Sequence, residues 1–321
     1  MDNQPLTNPS FENKFLTILA ATVLFILLVS LVVGMKVYRR DASVPTETAL
    51  NPFNEITLKA KAVYVYDIRT KTVLFAKNEN TRLPLASLTK VMSALVAEDL
   101  SPMYGTITIN GEALSTEGDS GFHKDEKWSL KSLLDFSLIT SSNDGMRAIA
   151  LSLGALSKSN VGSEVILNDF VGEMNKRARE LGLKNMYFWN ETGLDISASK
   201  TDLSDVKGGA YGTARDMSTL LEYILAHSPE LLSATREPVA RLESLDNYEH
   251  LAKNTNVIAA EIPGLLASKT GLTETAGGNL VIVFDPELGR PIIVSVLGST
   301  EEGRFEDVRS LVYAVMEYIK K

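Results

Sequence analysis

The sequence predicts an α/β (α+β) domain with an intervening helical lobe, preceded by one N-terminal transmembrane helix. Three observations predict it. Apolar residues recur at helical spacing in Leu88, Val91, Met92, Leu95 and Val96, and again between Ser129 and Thr140. Two runs of β type, Leu280 to Phe284 and Arg290 to Leu297, flank a turn at Asp285–Gly289. Finally, Phe15 to Met35 is uncharged between Lys14 and Lys36, matching the roughly 20 residues a helix needs to span a bilayer.

The expected organisation is a short tail over 1–14, a transmembrane helix over 15–35, a linker over 36–56 and one folded domain over 57–321. No convincing small-x-small site follows the span, so an uncleaved anchor is expected. Asp41 to Asn54 carries Pro45 and Pro52 without periodicity and reads as a tether. Lys36, Arg39 and Arg40 follow the span while only Lys14 precedes it. That bias favours a cytoplasmic domain, although large domains translocate against it.

Three short stretches carry chemistry. From Ser87 the pattern turns helical, and Lys90 lies about one turn away on the same face. A serine in the first helical turn sits among unpaired N–H groups at the positive end of the dipole, a setting that suits an alkoxide. Lys90 can take its proton only if burial or a neighbouring cation lowers its pKa. The plain alternative is a helix start with Ser87 as N-cap and Lys90 solvated. A second Ser-x-x-Lys, Ser197 to Lys200, lies in a polar loop with no apolar helix behind it.

Ser141-Ser142-Asn143 forms a junction between the helix ending at Thr140 and one beginning near Asp144. Ser141 could relay a proton and Asn143 could bind a substrate amide, or the stretch is a polar turn. Lys269-Thr270-Gly271 follows Leu265-Leu266-Ala267 and precedes Gly277-Gly278-Asn279, which places it along a sheet edge. Lys269 can hold a carboxylate and lower the pKa of a nearby lysine, and Thr270 adds a hydrogen bond. Gly271 would let a substrate backbone approach closely. The N–H of Leu272 could pair with that of Ser87 as an oxyanion hole. A lysine-bearing turn is the plain alternative.

Composition excludes other chemistries. Of three histidines (His123, His227, His250) none adjoins a motif serine, which leaves little material for a Ser-His-Asp triad. With no cysteine there is no thiol catalysis, thiolate metal site or disulfide framework. No metal or organic cofactor is expected. A net charge of −8 argues against nucleic acid as partner.

The order of the three stretches resembles the serine D-alanyl-D-alanine carboxypeptidases of the peptidase S11 family, the low-molecular-weight penicillin-binding proteins. The resemblance extends from about Thr57 to the C-terminus. Ala62 to Asp67 with Val73 to Ala76 looks like the family's opening hairpin. Phe170 to Asn175, Leu181 to Asn185 and Thr192 to Asp195 look like its middle, and Thr213 to Met217 like the start of a later helix. The resemblance implies a β-lactamase/transpeptidase-like fold, an antiparallel sheet flanked by helices. It implies Ser87 as acylated nucleophile, Lys90 as base, Ser141 with Asn143 as second element, and Lys269 with Thr270 as carboxylate site. The substrate implied is a peptidoglycan stem peptide ending in D-Ala-D-Ala, with β-lactams as covalent inhibitors.

The chain also departs from the family. Ser142 stands where glycine is usual, with little effect expected from a backbone position. Ser152 to Asn168 reads as an insertion. The frequent C-terminal β-rich domain and amphipathic anchor are not expected after the helix Phe305 to Lys320. Within the insertion, Glu164-Val165-Ile166-Leu167-Asn168 matches the Glu-x-x-Leu-Asn element of class A β-lactamases, making an antibiotic-hydrolysing enzyme the rival reading. The bland reading is a helix-start carboxylate. A D,D-endopeptidase or an inactive peptidoglycan-binding relative would carry the same three stretches.

Overall fold

The computed structural model describes residues 9–41, 51–155, 162–197 and 206–320. The chain divides into two units, Met1–Asn51 and Pro52–Lys321. In the first, helix α1 spans Pro9–Asp41, with proline in the first turn where its missing N–H costs nothing. Leu16–Val33 has a mean hydropathy of 2.9 and is long and apolar enough to cross a membrane. The helix continues through Lys36 to Asp41, residues expected in the linker, while Ala42–Leu50 lie outside the described residues.

The second unit is built on five antiparallel strands: β1 (Ala62–Asp67), β2 (Thr72–Lys77), β3 (Leu265–Thr273), β4 (Gly277–Phe284) and β5 (Ile292–Ser299). Their order is β3-β4-β5-β1-β2, which leaves β3 on an edge. Arg290 and Pro291, expected within the last strand, instead close the turn before it, where both Asp285 carboxylate oxygens accept from the Gly289 and Arg290 amides at 2.8 Å. Every residue of β5 is buried, because helices cover both faces of the sheet. Val63, Val65, Ile282, Val294 and Val296 pack on helix α7 (Gly303–Ile319) through Phe305, Val308, Leu311 and Val315. Ala62, Tyr64, Val281, Val283 and Ile293 belong to the opposite core, shared with Met217, Leu220 and Ile224 of helix α6 (Ala214–His227). The period-2 alternation of a strand divides these side chains between the two cores.

The helical lobe lies between β2 and β3 in the chain. It contains α2 (Thr89–Leu100), α3 (Leu130–Thr140), α4 (Asn143–Gly154) and α5 (Ser163–Glu180). Helix α2 is buried at every position from Thr89 to Ala97 rather than on one face alone. Ser129 caps α3 by accepting from the Ser132 amide at 3.1 Å, and Thr213 caps α6 by accepting from Asp216 at 3.0 Å. Of the expected insertion, 156–161 lie outside the described residues; the rest completes α4 and opens α5. There Gly154 lies so close to Ile166 that an added Cβ would stand 2.4 Å from its carbonyl oxygen. Glu164 and Asn168 are exposed on the first turns of α5, as the bland reading of that segment expects.

The chain entering β1 is fixed by one carboxylate. Asp307 on α7, 2% exposed, accepts from the Lys59 amide at 2.9 Å, the Ala60 amide at 2.8 Å and the Ser299 hydroxyl at 2.7 Å. Asp307→Ala leaves these buried donors without an acceptor. It should destabilise the fold by about 2–4 kcal/mol, seen as a lower urea midpoint with an unchanged slope.

Candidate active site

The segment carrying Ser87 enters as a short strand, Leu83–Pro84, paired with Ala210–Gly212. It then turns sharply at Ala86, whose φ of 48° lies in the left-handed region. For a residue with a Cβ that conformation costs about 1–2 kcal/mol, and the surroundings enforce it. Thr89 Oγ1 donates to the Ala86 carbonyl at 2.7 Å. Buried Asn279 of β4 donates to the Pro84 and Leu85 carbonyls at 3.0 and 3.1 Å, while its own oxygen accepts from the Gly298 amide at 2.7 Å. Gly193 (φ 82°) packs so tightly here that an added Cβ would stand 1.9 Å from the Ala86 oxygen.

Ala86–Leu88 form a 3-10 turn that runs into α2. Ser87 does not cap that helix; its Oγ accepts from Lys90 Nζ at 2.9 Å. Lys90 is fully buried, which removes the solvated-lysine alternative. Its Nζ also donates to Asn143 Oδ1 at 2.7 Å and to the Thr192 carbonyl at 3.0 Å. Burial lowers its pKa to about 7, with the Glu191 and Asp144 carboxylates pulling the other way.

Ser141 ends α3 in the left-handed region (φ 61°, ψ 30°). Its Oγ accepts from Lys269 Nζ at 2.8 Å, and Lys269 also donates to the Thr270 carbonyl at 2.9 Å. Burial holds the Lys269 amine well below its ordinary pKa, with added repulsion from Lys90 and then Arg304. Burial is the larger effect at both amines, and their mutual repulsion opposes charging either one.

The structure thus brings Ser87, Lys90 and Asn143 into one hydrogen-bonded cluster and Ser141 with Lys269 into another. Thr270 Oγ1 lies 2.6 Å from Thr255 Oγ1. Leu272 follows on β3 opposite Gly278, its side chain exposed. Asn143 has its Oδ1 on Lys90 and its Nδ2 on the Glu117 carbonyl at 2.8 Å. Gly271 makes room for the turn that carries Ser87. A Cβ there would lie 2.8 Å from the Leu85 oxygen and 3.2 Å from the Ala86 Cβ.

Ser142 contributes more than backbone. Its Oγ caps α4 by accepting from the Gly145 amide at 3.0 Å and from Ser120 Oγ at 2.6 Å. Other contributors are not among the expected site residues. Arg304 Nη1 donates to the Gly271 carbonyl at 2.9 Å. Asp195 accepts from Thr273 Oγ1 at 2.9 Å and from Thr275 Oγ1 at 2.7 Å, tying the Thr192 loop to the end of β3. Thr255 belongs to the weakly patterned stretch Ser228 to Gly264, which reaches the site at that residue. His250 pairs with Glu126 at 2.8 Å within a cluster of Phe122, Trp128 and Phe136. Ala198, Ser199 and Lys200 of the second Ser-x-x-Lys lie outside the described residues.

Sheet, helical lobe and the buried Ser-x-x-Lys turn together define the penicillin-binding-protein class of fold. Penicillin-binding protein D2 from Listeria monocytogenes in its cefotaxime-bound form superposes with a TM-score of 0.65 at 25% identity, covering 81% of this chain and 98% of that one. The Streptomyces K15 DD-transpeptidase shares the fold, with a TM-score of 0.68 at 23% identity over 81% of this chain and 97% of that one. The family model described as D-alanyl-D-alanine carboxypeptidase, peptidase S11, matches residues 46–301, and the chain belongs to that family. Its sequence is 32% identical to the D-alanyl-D-alanine carboxypeptidase DacF of Bacillus subtilis over 83% of this chain and 64% of that protein. It is 28% identical to DacB2 of Mycobacterium tuberculosis, also a D-alanyl-D-alanine carboxypeptidase, over 76% of this chain and 77% of that protein. A D-alanyl-D-alanine endopeptidase of Pseudomonas aeruginosa matches at 28% over 79% of this chain and 76% of that protein. The chain thus spans slightly less than two thirds of DacF.

Gly271→Ala pushes β3 away from the Leu85–Ala86 turn or shifts the turn itself. It should cost about 1–3 kcal/mol of stability, and a crystal structure of the variant should show Ser87 displaced from Lys90.

Proposed function

We infer that this protein is a membrane-anchored serine D-Ala-D-Ala carboxypeptidase that trims peptidoglycan stem peptides through a Ser87 acyl-enzyme. The observation that carries this reading is the Lys90 amine. It is buried, 2.9 Å from Ser87 Oγ, and able to lose its proton near pH 7. The substrate enters along β3 with its terminal carboxylate toward Lys269 and Thr270. An arriving anion offsets the burial penalty on Lys269 and stabilises its charged form. Ser87 Oγ attacks the penultimate carbonyl carbon while Lys90 takes the hydroxyl proton. The oxyanion is held by the Ser87 and Leu272 amides, each worth about 10²–10³ in rate. The C–N bond then breaks, the departing D-Ala nitrogen receives a proton through Ser141, and water hydrolyses the ester.

The β-lactamase alternative loses support because Glu164 and Asn168 sit exposed on α5. An inactive relative would call for a missing catalytic group, and all are present. Relatives named as endopeptidases favour keeping cross-link cleavage as a second activity, which digestion of purified sacculi with mass spectrometry of the products would separate. For α1, anchoring rests on the apolar run alone; an extracytoplasmic domain follows from the substrate. Protease added to intact spheroplasts should degrade the domain, and protection would refute that placement.

Fluorescent penicillin should label the wild-type chain covalently, and Ser87→Ala should abolish the label; an unlabelled, folded wild type would sink the acylation reading. The same reaction should depend on pH with a definite sign. Lys90 accepts a proton only when neutral, so labelling should fall through pH 7 on acidification, by about tenfold per unit well below it. A flat profile from pH 5 to 8 would exclude Lys90 as the base.

A further inference from the structure

Helix α4 reaches Lys90 by two routes. Asn143, in its first turn, accepts directly from Nζ. Arg147 lies one turn further along the same face, and its Nε meets Glu191 Oε1 at 2.6 Å, a charge contact made outside hydrogen-bond alignment. Glu191 is the neighbour of Thr192, whose carbonyl is the third acceptor of Lys90. Ser93 of α2 secures the same loop by donating to the Glu191 carbonyl at 2.7 Å. The Glu191 side chain is 1% exposed and that of Arg147 23%.

A pair this buried gains little net stability, since desolvation offsets the attraction and apolar residues would serve as well. Its position suggests another use. We propose that Arg147 and Glu191 are positioning residues that hold the Thr192 carbonyl on Lys90 and balance the charge felt by its amine. The charges facing Lys90 are the carboxylates of Asp144 from α4 and Glu191 from the loop, and the amine of Lys269 from β3. Arg147 neutralises part of the Glu191 charge. Without it, the bare carboxylate stabilises the ammonium and keeps Lys90 protonated to higher pH. Without Glu191, the amine loses an anion and faces an uncompensated guanidinium, so it deprotonates at lower pH.

The opposite signs make the test specific, because a merely loosened site would change both variants alike. This inference rests on the acylation reading. The second-order rate of labelling by fluorescent penicillin would be measured from pH 5 to 9 on the detergent-solubilised full chain. The pH of half-maximal rate should rise by about 1 unit in Arg147→Met and fall by about 1 unit in Glu191→Gln. It should return near the wild-type value in the double variant and stay there in Arg147→Lys. Thermal unfolding checks that each variant is folded, and Arg147→Gln stands in if Arg147→Met is not. Shifts of the same sign, or none, on a labelled wild type overturn this inference alone. A wild type that takes no label at any pH overturns the acylation reading and this inference with it.

Discussion

Taking the Lys90 ammonium out of water is the constraint on which the rest of the site depends. Isolated burial of a charge is so unfavourable that the group would rather lose its proton, and a lysine that loses it near neutrality is a base. The fold makes that tolerable by giving the amine three acceptors from three places: Ser87 in the turn leading into α2, Asn143 on α4 and the Thr192 carbonyl. None of these elements can shift without leaving a donor unpaired at the centre of the lobe. The same enclosure explains why α2 is buried on all sides.

The geometry at Ser87 is held by strain and stitching in equal measure. Ala86 and Ser141 both adopt left-handed backbone conformations, and each precedes or carries a hydroxyl that accepts from a buried lysine. Such conformations persist only where neighbours over-determine them. At Ala86 the neighbours are Asn279, Thr89 and the two glycines at 193 and 271, whose missing Cβ atoms let the Thr192 loop and β3 close on the turn. Backbone contacts at the Ser87 turn therefore join sheet and lobe beside the apolar core that the two share.

Much of this was legible in the sequence, and the legible part was of one kind. Apolar β-type runs flanking a turn marked β4 and β5, a period of 3.6 marked α2 and α3, and side chains with their own chemistry marked Ser87, Lys90, Ser141, Asn143, Lys269 and Thr270. What stayed hidden acts through the backbone or through three-dimensional neighbours. The Thr192 carbonyl has no side-chain signature. Asn279 looks like any polar residue at a strand start. Ser142 looked like a spacer because its capping bond depends on where Gly145 and Ser120 fall. Gly271 was legible as a site of close approach, but the approaching group proved to be the protein's own turn. Sequence shows which charges exist but not how deeply each is buried, and burial dominates at Lys90.

The two buried amines are best regarded as one titrating unit. Each is enclosed, and the repulsion between them means that charging one opposes charging the other. In the proposed reaction, a carboxylate arriving at Lys269 favours the protonated form there, and the added positive charge makes the neutral form of Lys90 more favourable. Substrate binding would thereby prepare the base for the step that follows. A ligand without the terminal carboxylate would fill the same cleft and leave Lys90 closer to its resting state. On that proposal, selectivity for an anionic terminus would reside in the rate of acylation as well as in affinity, because the group recognised and the group that reacts share the same electrostatic field.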